Sequence, residues 1–226
     1  MAGRILLIGG PTDALLRKVG ARALAAVGRP RAKVAALYAP IAGHPDGLSF
    51  MQRSVADMFP DADVHRVVLP GEEAGANADD ARRALEAADV VFVSGGDPVL
   101  GANLVRESGA HAWLHAAHER GAAVVGASAG SIVLGEWWAS WPEDESDGAH
   151  DEHQGAKLVE CAGVARGLVL DAHDEADDWC ELRAVARLAK KHGDHLRFVG
   201  IPTAGAIAVD VDGKIESIGR PPFFLP

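Results

Sequence analysis

The chain has 226 residues, 48% of them hydrophobic, and a formal net charge of −10 at pH 7. This size is typical of one α/β domain with a sizeable core, so we expect a single domain over residues 1–226. The acidic balance argues against nucleic acid or an anionic membrane surface as a partner, because both repel negative charge. Cys161 and Cys180 are the only cysteines, which excludes a disulfide framework and a four-cysteine zinc site.

The N-terminal residues and the apolar runs predict neither a secretory leader nor a membrane span. Residues 1–10 turn at once into a strand and contain no apolar region that follows a charged leader. The longest uncharged run, Ala122–Gly135, is interrupted by glycine and serine and is too short to cross a bilayer. These features favour a cytoplasmic protein without a membrane partner.

Short apolar strands alternate with amphipathic helices over the first half of the chain. Strands are predicted at 4–8, 33–38, 64–69 and 89–94, with helices at 12–27, 48–59 and 79–88 between them. This alternation predicts a three-layer, doubly wound α/β fold with a mostly parallel sheet. Ligands gather at the carboxyl ends of such strands, which is where Gly9-Gly10, Gly95-Gly96 and Gly126–Gly130 lie in this chain.

The second half of the chain departs from this alternation. Pro142–His153 is dense in acidic residues, and we expect either a solvated loop or a lid beside the site that disfavours anionic substrates. Strands are predicted at 167–173 and 196–200, with a helix at 178–192 between them. A terminal hairpin is predicted at 206–217, since the turn Asp210–Gly213 ends in the Asp-Gly pair that favours tight hairpins.

The stretch Ala122–Trp138 has the pattern of a buried strand, a sharp turn and a helix. Its turn, Gly126-Ala127-Ser128-Ala129-Gly130, has the G-x-S-x-G form that places a serine hydroxyl on a strained corner at the top of a sheet. We therefore expect Ser128 to be a nucleophile. A plain packing turn is the alternative that the pattern leaves open.

A serine nucleophile requires a base, and His173 is the best placed of the ten histidines. It directly follows a predicted strand, so its side chain could reach the carboxyl edge of the sheet. The alternative is a surface histidine that ends the strand. Three further histidines, His111, His115 and His118, share one helix face but match no metal motif, so we expect neither a metal nor a cofactor.

A second glycine turn, Gly95-Gly96-Asp97, follows the predicted strand just before the serine strand. Amides in such a turn can approach a substrate oxygen, so the N–H of Gly96 or Asp97 could join that of Ala129 in a two-donor oxyanion hole. A simple strand-to-helix turn is the alternative. Gly9-Gly10 matches neither a phosphate-binding loop nor a dinucleotide-binding motif and is interpreted as a turn.

The chain order of these motifs resembles that of the peptidase E and cyanophycinase family of serine peptidases. The motifs are Gly-Gly-Asp97, Gly-Ala-Ser128-Ala-Gly, Asp-Ala-His173, a helix with Arg183 and Arg187, and Gly200-Ile201-Pro202. The resemblance is strongest over Asp89–Val209 and implies a class I glutamine amidotransferase-like (flavodoxin-like) fold. It further implies that Ser128 is the nucleophile, His173 the base, and Gly96 and Ala129 the oxyanion donors. The implied reaction is cleavage of a dipeptide, small peptide or related amide through an acyl-enzyme.

Two positions depart from the family pattern. Asp97 stands where the family usually has asparagine, so its N–H rather than its carboxylate would be the useful group. Thr203 stands where the family has the acidic third member of the triad, and loss of that carboxylate can cost about 10⁴ in rate. Either the enzyme works as a dyad, or a nearby acid orients the base. The candidates are Asp171, Asp174 and Glu175.

The acids around the predicted base bear on the substrate. Five of them lie within Asp171–Asp178 and form a rim that fits poorly with an anionic substrate, so we expect a neutral or cationic peptide. Peptidase E itself prefers an N-terminal aspartyl residue, which an arginine in the helix after the histidine is thought to hold, and the sequence leaves open whether Arg183 or Arg187 occupies that position.

Two other functions stay open from the sequence. One is an esterase of the α/β-hydrolase type, and the other is a binding or regulatory protein that keeps the fold with a degraded triad. A glutaminase is disfavoured because that chemistry uses cysteine where this chain has Ser128. The sequence also leaves the oligomeric state open, a homodimer included.

Overall fold

The structure is a computed structural model that describes residues 3–29, 31–141 and 155–226. The acidic stretch Pro142–His153, expected as a loop or lid, lies outside the described residues. The strands are β1 (Ile5–Ile8), β2 (Lys33–Leu37), β3 (Asp63–Val67), β4 (Val90–Val93), β5 (Ala123–Ala127), β6 (Trp137–Ser140), β7 (Lys157–Glu160), β8 (Leu168–Ala172), β9 (Arg197–Ile201), β10 (Gly205–Val209), β11 (Ile215–Gly219) and β12 (Phe223–Leu225). The helices are α1 (Asp13–Val27), α2 (Pro45–Met58), α3 (Ala78–Ala87), α4 (Pro98–Glu107), α5 (Ala110–Arg120), α6 (Ala129–Val133) and α7 (Cys180–Ala189).

The central sheet has seven strands in the order β11-β10-β1-β5-β4-β2-β3. Strands β1, β5, β4, β2 and β3 are mutually parallel, whereas β10 pairs antiparallel with β1 and β11 pairs antiparallel with β10. The predicted α/β fold with a mostly parallel central sheet is therefore confirmed. The hairpin β10–β11 also forms as predicted, closed by a hydrogen bond from Gly213 N to Asp210 O of 3.0 Å.

Both faces of the central sheet are buried, which explains why its strands are continuous apolar runs rather than alternating ones. On one face Leu7, Leu37 and Val124 pack into a core that includes α3, α4 and α5. On the other face Ile8 and Phe92 pack against α1 and α2. The carboxyl ends of the parallel strands thus lie along one edge of the sheet, between the two helical layers.

The strand before His173 lies in a different sheet from the one we expected it to border. Strand β8 pairs in parallel with β9, and β9 pairs with the antiparallel β12, in a separate three-stranded sheet. A further two-stranded ribbon, β6–β7, was not predicted. All five residues of β8 are buried, and most of them are apolar, as in the strands of the central sheet. The sequence pattern alone therefore does not show to which of the two sheets β8 belongs.

Local chemistry sets both ends of α1. Thr12 caps α1 by accepting a hydrogen bond from Leu15 N at 3.3 Å, and Gly28 ends it in the left-handed conformation. None of the helices in the described ranges is both long enough and apolar enough to span a membrane.

Candidate active site

Ser128 lies at the corner between β5 and α6, with φ 52° and ψ −122°. A non-glycine residue in such a region costs about 1–3 kcal/mol and persists only where the surroundings hold it. Two backbone hydrogen bonds do so here. Ser128 N donates to Ile8 O at 2.8 Å, and Ser131 N donates to Ser128 O at 2.7 Å. The strained corner is therefore fixed to the end of β1.

The flanking glycines allow the corner to pack tightly. A Cβ at Gly130 would lie 2.1 Å from Val93 O, and one at Gly126 would lie 2.7 Å from Gly130 O. Both distances are far inside van der Waals contact with backbone atoms. Only glycine at these two positions lets the start of α6 lie against the ends of β4 and β5.

Ser131 supports the same corner and was missed by the sequence analysis. Its hydroxyl is completely buried, accepts a hydrogen bond from Ile8 N at 3.0 Å and donates one to Ile8 O at 2.8 Å. The hydroxyl therefore links α6 to the last residue of β1. The only available signal was a polar residue inside an otherwise apolar, buried run.

His173 follows β8 and meets Ser128 directly. Its Nε2 lies 2.8 Å from Ser128 Oγ, although the two residues are 45 positions apart. This distance is within the hydrogen-bonding reach that a nucleophile and its base require. His173 also has a positive φ of 54°, and its N–H donates to Ile201 O at 2.9 Å. Both members of the pair thus have a strained backbone held by hydrogen bonds to a neighbouring strand end.

The Gly95-Gly96 turn lies beside the serine. A Cβ at Gly95 would be 3.3 Å from Ser128 Cβ, and one at Gly96 would be 2.1 Å from Pro40 O. In the part of the chain that the structure describes, no hydrogen-bond acceptor faces the N–H of Gly96 or that of Ala129. These two amides are therefore available to a substrate oxygen next to Ser128.

The expectation that Asp97 N–H could be an oxyanion donor is corrected by the structure. Asp97 N donates to Pro40 O at 2.6 Å, so this amide is already engaged. The Asp97 carboxylate accepts from Val99 N at 2.8 Å and from Leu100 N at 3.0 Å as the N-cap of α4. Its charge is therefore directed to the helix end, where a negative group is favourable.

The three acids considered as orienting groups have different environments, and none of them hydrogen-bonds to the His173 ring within the described ranges. Glu175 Oε1 accepts from Thr203 N at 3.0 Å and pairs with Arg220 at 3.1 Å. Burial would raise the pKa of Glu175, but hydrogen bonds from its own backbone and from Thr203, together with the Arg220 charge, lower it overall. Thr203 itself contributes no charge.

Asp171 is buried without a cation. Its Oδ1 accepts from Ala172 N at 2.7 Å, and its Oδ2 is buried and has no hydrogen-bond partner. Burial, and then the negative charges of Asp174 and Glu181, raise the pKa of Asp171 to about 8, against the lowering effect of hydrogen bonds from the backbone of Ala172 and Leu182. At neutral pH this carboxyl is mostly protonated and cannot serve as an anionic partner for the base.

Asp174 is the acid whose charge is coupled to the histidine. The pKa of its carboxyl is raised overall, chiefly by burial and also by the negative charge of Asp177, although hydrogen bonds with Glu181 N and Asp171 and the charge of His173 lower it. The Glu181 N···Asp174 Oδ2 distance is 3.4 Å, so this carboxylate caps the first turn of α7. Which acid orients His173 stays a prediction.

The histidine face on α5 has a structural use. His115 Nε2 lies 2.8 Å from Ala162 O, and His118 Nε2 lies 2.9 Å from Gly3 O. These bonds connect α5 to neighbouring backbone. Over residues 3–29, 31–141 and 155–226, no group of three or more His, Cys, Asp or Glu side chains could hold a metal ion.

Asp171→Asn should make stability less dependent on pH. An acid whose pKa is raised in the folded state holds more protons there than in the unfolded state, so stability falls as pH rises from the ordinary aspartate value to about 8. The asparagine variant does not lose stability in this way. Its free energy of unfolding, relative to that of the native chain, should therefore rise from pH 5 to pH 8 and then level off. Thermal unfolding at each pH measures it, with Asp57→Asn on an exposed part of α2 as control. Parallel curves for the native and Asp171→Asn proteins would contradict the assignment.

Ser131→Ala should destabilise the fold by about 1–3 kcal/mol, because it removes both buried hydrogen bonds between the hydroxyl and the Ile8 backbone. Denaturant unfolding measures the loss. Ser54→Ala is the matched control, since the Ser54 hydroxyl makes only an exposed bond to Phe50 O, and it should have little effect. Equal stability of the two variants would show that the Ser131 hydroxyl does not support the corner.

Comparisons with known proteins agree with this architecture. Over its full length the chain is similar to a peptidase from an acI-B1 Actinobacterium, with 14% identity, a TM-score of 0.73 and coverage of 94% of that chain. It is also similar to a candidate peptidase E protein from Listeria monocytogenes EGD-e, with 11% identity, a TM-score of 0.65, and coverage of 98% of this chain and 100% of that one. At these identities the likeness establishes the fold. No curated protein matches the chain in sequence.

The family assignment comes from the sequence model of peptidase family S51. This model matches residues 5–166, a range that contains the Gly95-Gly96 turn and Ser128 and ends before His173. The match covers well over half of the chain and includes the corner whose geometry is described above, so the protein belongs to peptidase family S51.

Proposed function

We propose that this peptidase is of the serine type and hydrolyses a dipeptide or another small peptide through an acyl-enzyme. The observation that carries the proposal is the 2.8 Å hydrogen bond between Ser128 Oγ and His173 Nε2. It joins a hydroxyl on a strained strand-to-helix corner to an imidazole in a second strained turn. A hydroxyl and a base in contact at such a corner are the arrangement that nucleophilic catalysis requires.

The proposed reaction begins when Ser128 Oγ attacks the carbonyl carbon of the scissile amide and its proton passes to His173 Nε2. The carbonyl oxygen becomes negative and is stabilised by the N–H groups of Gly96 and Ala129. The tetrahedral intermediate collapses when the C–N bond breaks, and the leaving amine takes the proton from His173. An acyl ester on Ser128 and a free amine result.

Deacylation repeats these steps with water. His173 Nε2 takes a proton from the water as its oxygen attacks the ester carbonyl, and the same two amides stabilise the second oxyanion. The C–O bond to Ser128 then breaks, Oγ recovers a proton from His173, and the carboxylate product leaves.

The charges around the site support a neutral or cationic substrate. Arg183, in the helix that follows the base, donates to the backbone oxygen of Asp178 at 2.9 Å and pairs with its carboxylate at 3.2 Å. Its guanidinium also lies over the Phe223 ring, 5.5 Å from the centroid. A guanidinium engaged in this way is poorly placed to receive a substrate carboxylate.

A binding protein of the same fold is the second candidate, and Thr203 is the observation that favours it, because an uncharged residue occupies the position of the family's acid. Reaction with a fluorophosphonate probe separates the two functions. The native protein should be labelled at Ser128, Ser128→Ala should not be labelled, and His173→Ala should be labelled about 10²–10⁴-fold more slowly. Ser54→Ala should react like the native protein. A folded native protein that stays unlabelled at neutral pH would favour the binding function.

The substrate class is tested separately with a panel of dipeptides. We expect kcat/KM to be higher for dipeptides with neutral or with Lys and Arg residues than for Asp-X dipeptides, because the acidic rim repels a substrate carboxylate. Equal or faster turnover of Asp-X dipeptides would overturn the substrate class and leave the serine mechanism standing.

A further inference from the structure

The turn that carries His173 is fixed at two points to the connection between β9 and β10. His173 N donates to Ile201 O at 2.9 Å, and Thr203 N donates to Glu175 Oε1 at 3.0 Å. Residue 175 lies two positions after residue 173, and residue 203 lies two positions after residue 201. The bond between Thr203 and Glu175 therefore continues the pairing of the two segments, with a carboxylate oxygen as acceptor in place of a backbone carbonyl oxygen. Glu175 thereby extends the attachment of the His173 turn beyond the end of β8.

Arg220 contacts both Glu175 and Thr203. Its Nη1 lies 3.1 Å from Glu175 Oε1 and 3.4 Å from Thr203 O. Glu175 is three-quarters buried, and its second oxygen, Oε2, is buried and has no hydrogen-bond partner. The carboxylate is thus held on one oxygen by two donors, while the other oxygen keeps its capacity to accept a proton donor.

The strain in the turn makes this attachment necessary. His173 has φ 54°, a conformation that a non-glycine residue leaves readily unless surrounding contacts hold it. Its own N–H bond to Ile201 holds one side of the residue. The Glu175 contacts hold the other side, two residues further on, and so keep the imidazole turned towards Ser128.

The same connection is also tied to the nucleophile. Gly10 pairs with Thr203, and Ala204 N donates to Gly10 O at 2.9 Å. Gly10 follows β1 by two residues, and the end of β1 accepts the N–H of Ser128 through Ile8 O. A continuous set of backbone bonds therefore runs from the serine corner through β1 to residue 203, where Glu175 joins it to the histidine turn.

We propose that Glu175 is the positioning residue for the His173 base: its carboxylate, fixed by Thr203 and Arg220, holds the strained turn in register with Ser128. This inference rests on the proposed serine mechanism. The two other acids have different partners, since Asp171 is buried and mostly protonated at neutral pH and Asp174 caps α7 through Glu181 N.

The test measures fluorophosphonate inactivation as separate kinact and KI values. Glu175→Gln keeps the size of the side chain and removes its charge, so kinact should fall about 10- to 100-fold, the scale expected when a catalytic group is misplaced, while KI stays unchanged. The matched control is Glu216→Gln, which removes the same charge from an exposed ion pair with Arg22 of 2.7 Å, and it should react at the native rate. Circular dichroism and thermal unfolding confirm that each variant is folded.

Each outcome decides between specific alternatives. A native rate for Glu175→Gln, or a larger loss for Asp174→Asn than for Glu175→Gln, would overturn the assignment to Glu175 and leave the serine mechanism intact. Failure of the native protein to react would overturn the proposed function and this inference with it. If Glu175→Gln does not fold, Arg220→Gln decides, because it removes the anchor and keeps the carboxylate: a reduced kinact supports the role and a native kinact rejects it.

Discussion

The carbonyl oxygen of Ile8, at the end of β1, is the acceptor on which the site depends. It receives the N–H of Ser128 and the hydroxyl of Ser131, both at 2.8 Å. These bonds attach the corner that follows β5 to the strand beside it, and the core on both faces of the sheet keeps β1 in place. All four residues of β1 are buried. The Ser128 hydroxyl is therefore presented at an edge whose position the hydrophobic core determines.

Strain is concentrated where chemistry is proposed. Ser128 and His173 are two of the five non-glycine residues with positive φ in the described ranges, and they contact each other. Ser128 is held by main-chain hydrogen bonds and by close packing that admits only glycine at positions 126 and 130, and His173 is held by the hydrogen bond from its N–H to Ile201 O. The fold can tolerate a few kcal/mol of local strain because the burial of two hydrophobic layers far exceeds it. The strained conformations bring the Ser128 and His173 side chains into contact at one edge of the sheet.

Much of this arrangement follows from the sequence, because it is encoded locally. The strand at 123–127, the small-residue corner and the placement of His173 after a strand are all patterns within a few neighbouring residues. The parts that could not be predicted depend on distant partners. Asp97 lost its expected role because Pro40 O occupies its amide, and the Ser131 hydroxyl acquired one because Ile8 lies beside it. Nor does any local pattern show that β8 joins β9 and β12 instead of the central sheet.

The separate sheet of β8 means that the serine and the histidine belong to different structural units. Ser128 is attached to the seven-stranded sheet and His173 to the three-stranded one. The 2.8 Å distance between Ser128 Oγ and His173 Nε2 therefore depends on how the two sheets pack against each other. Proteins open regionally before they unfold as a whole. A slight shift of the smaller sheet would therefore break the contact between Ser128 and His173 while the central sheet stays native.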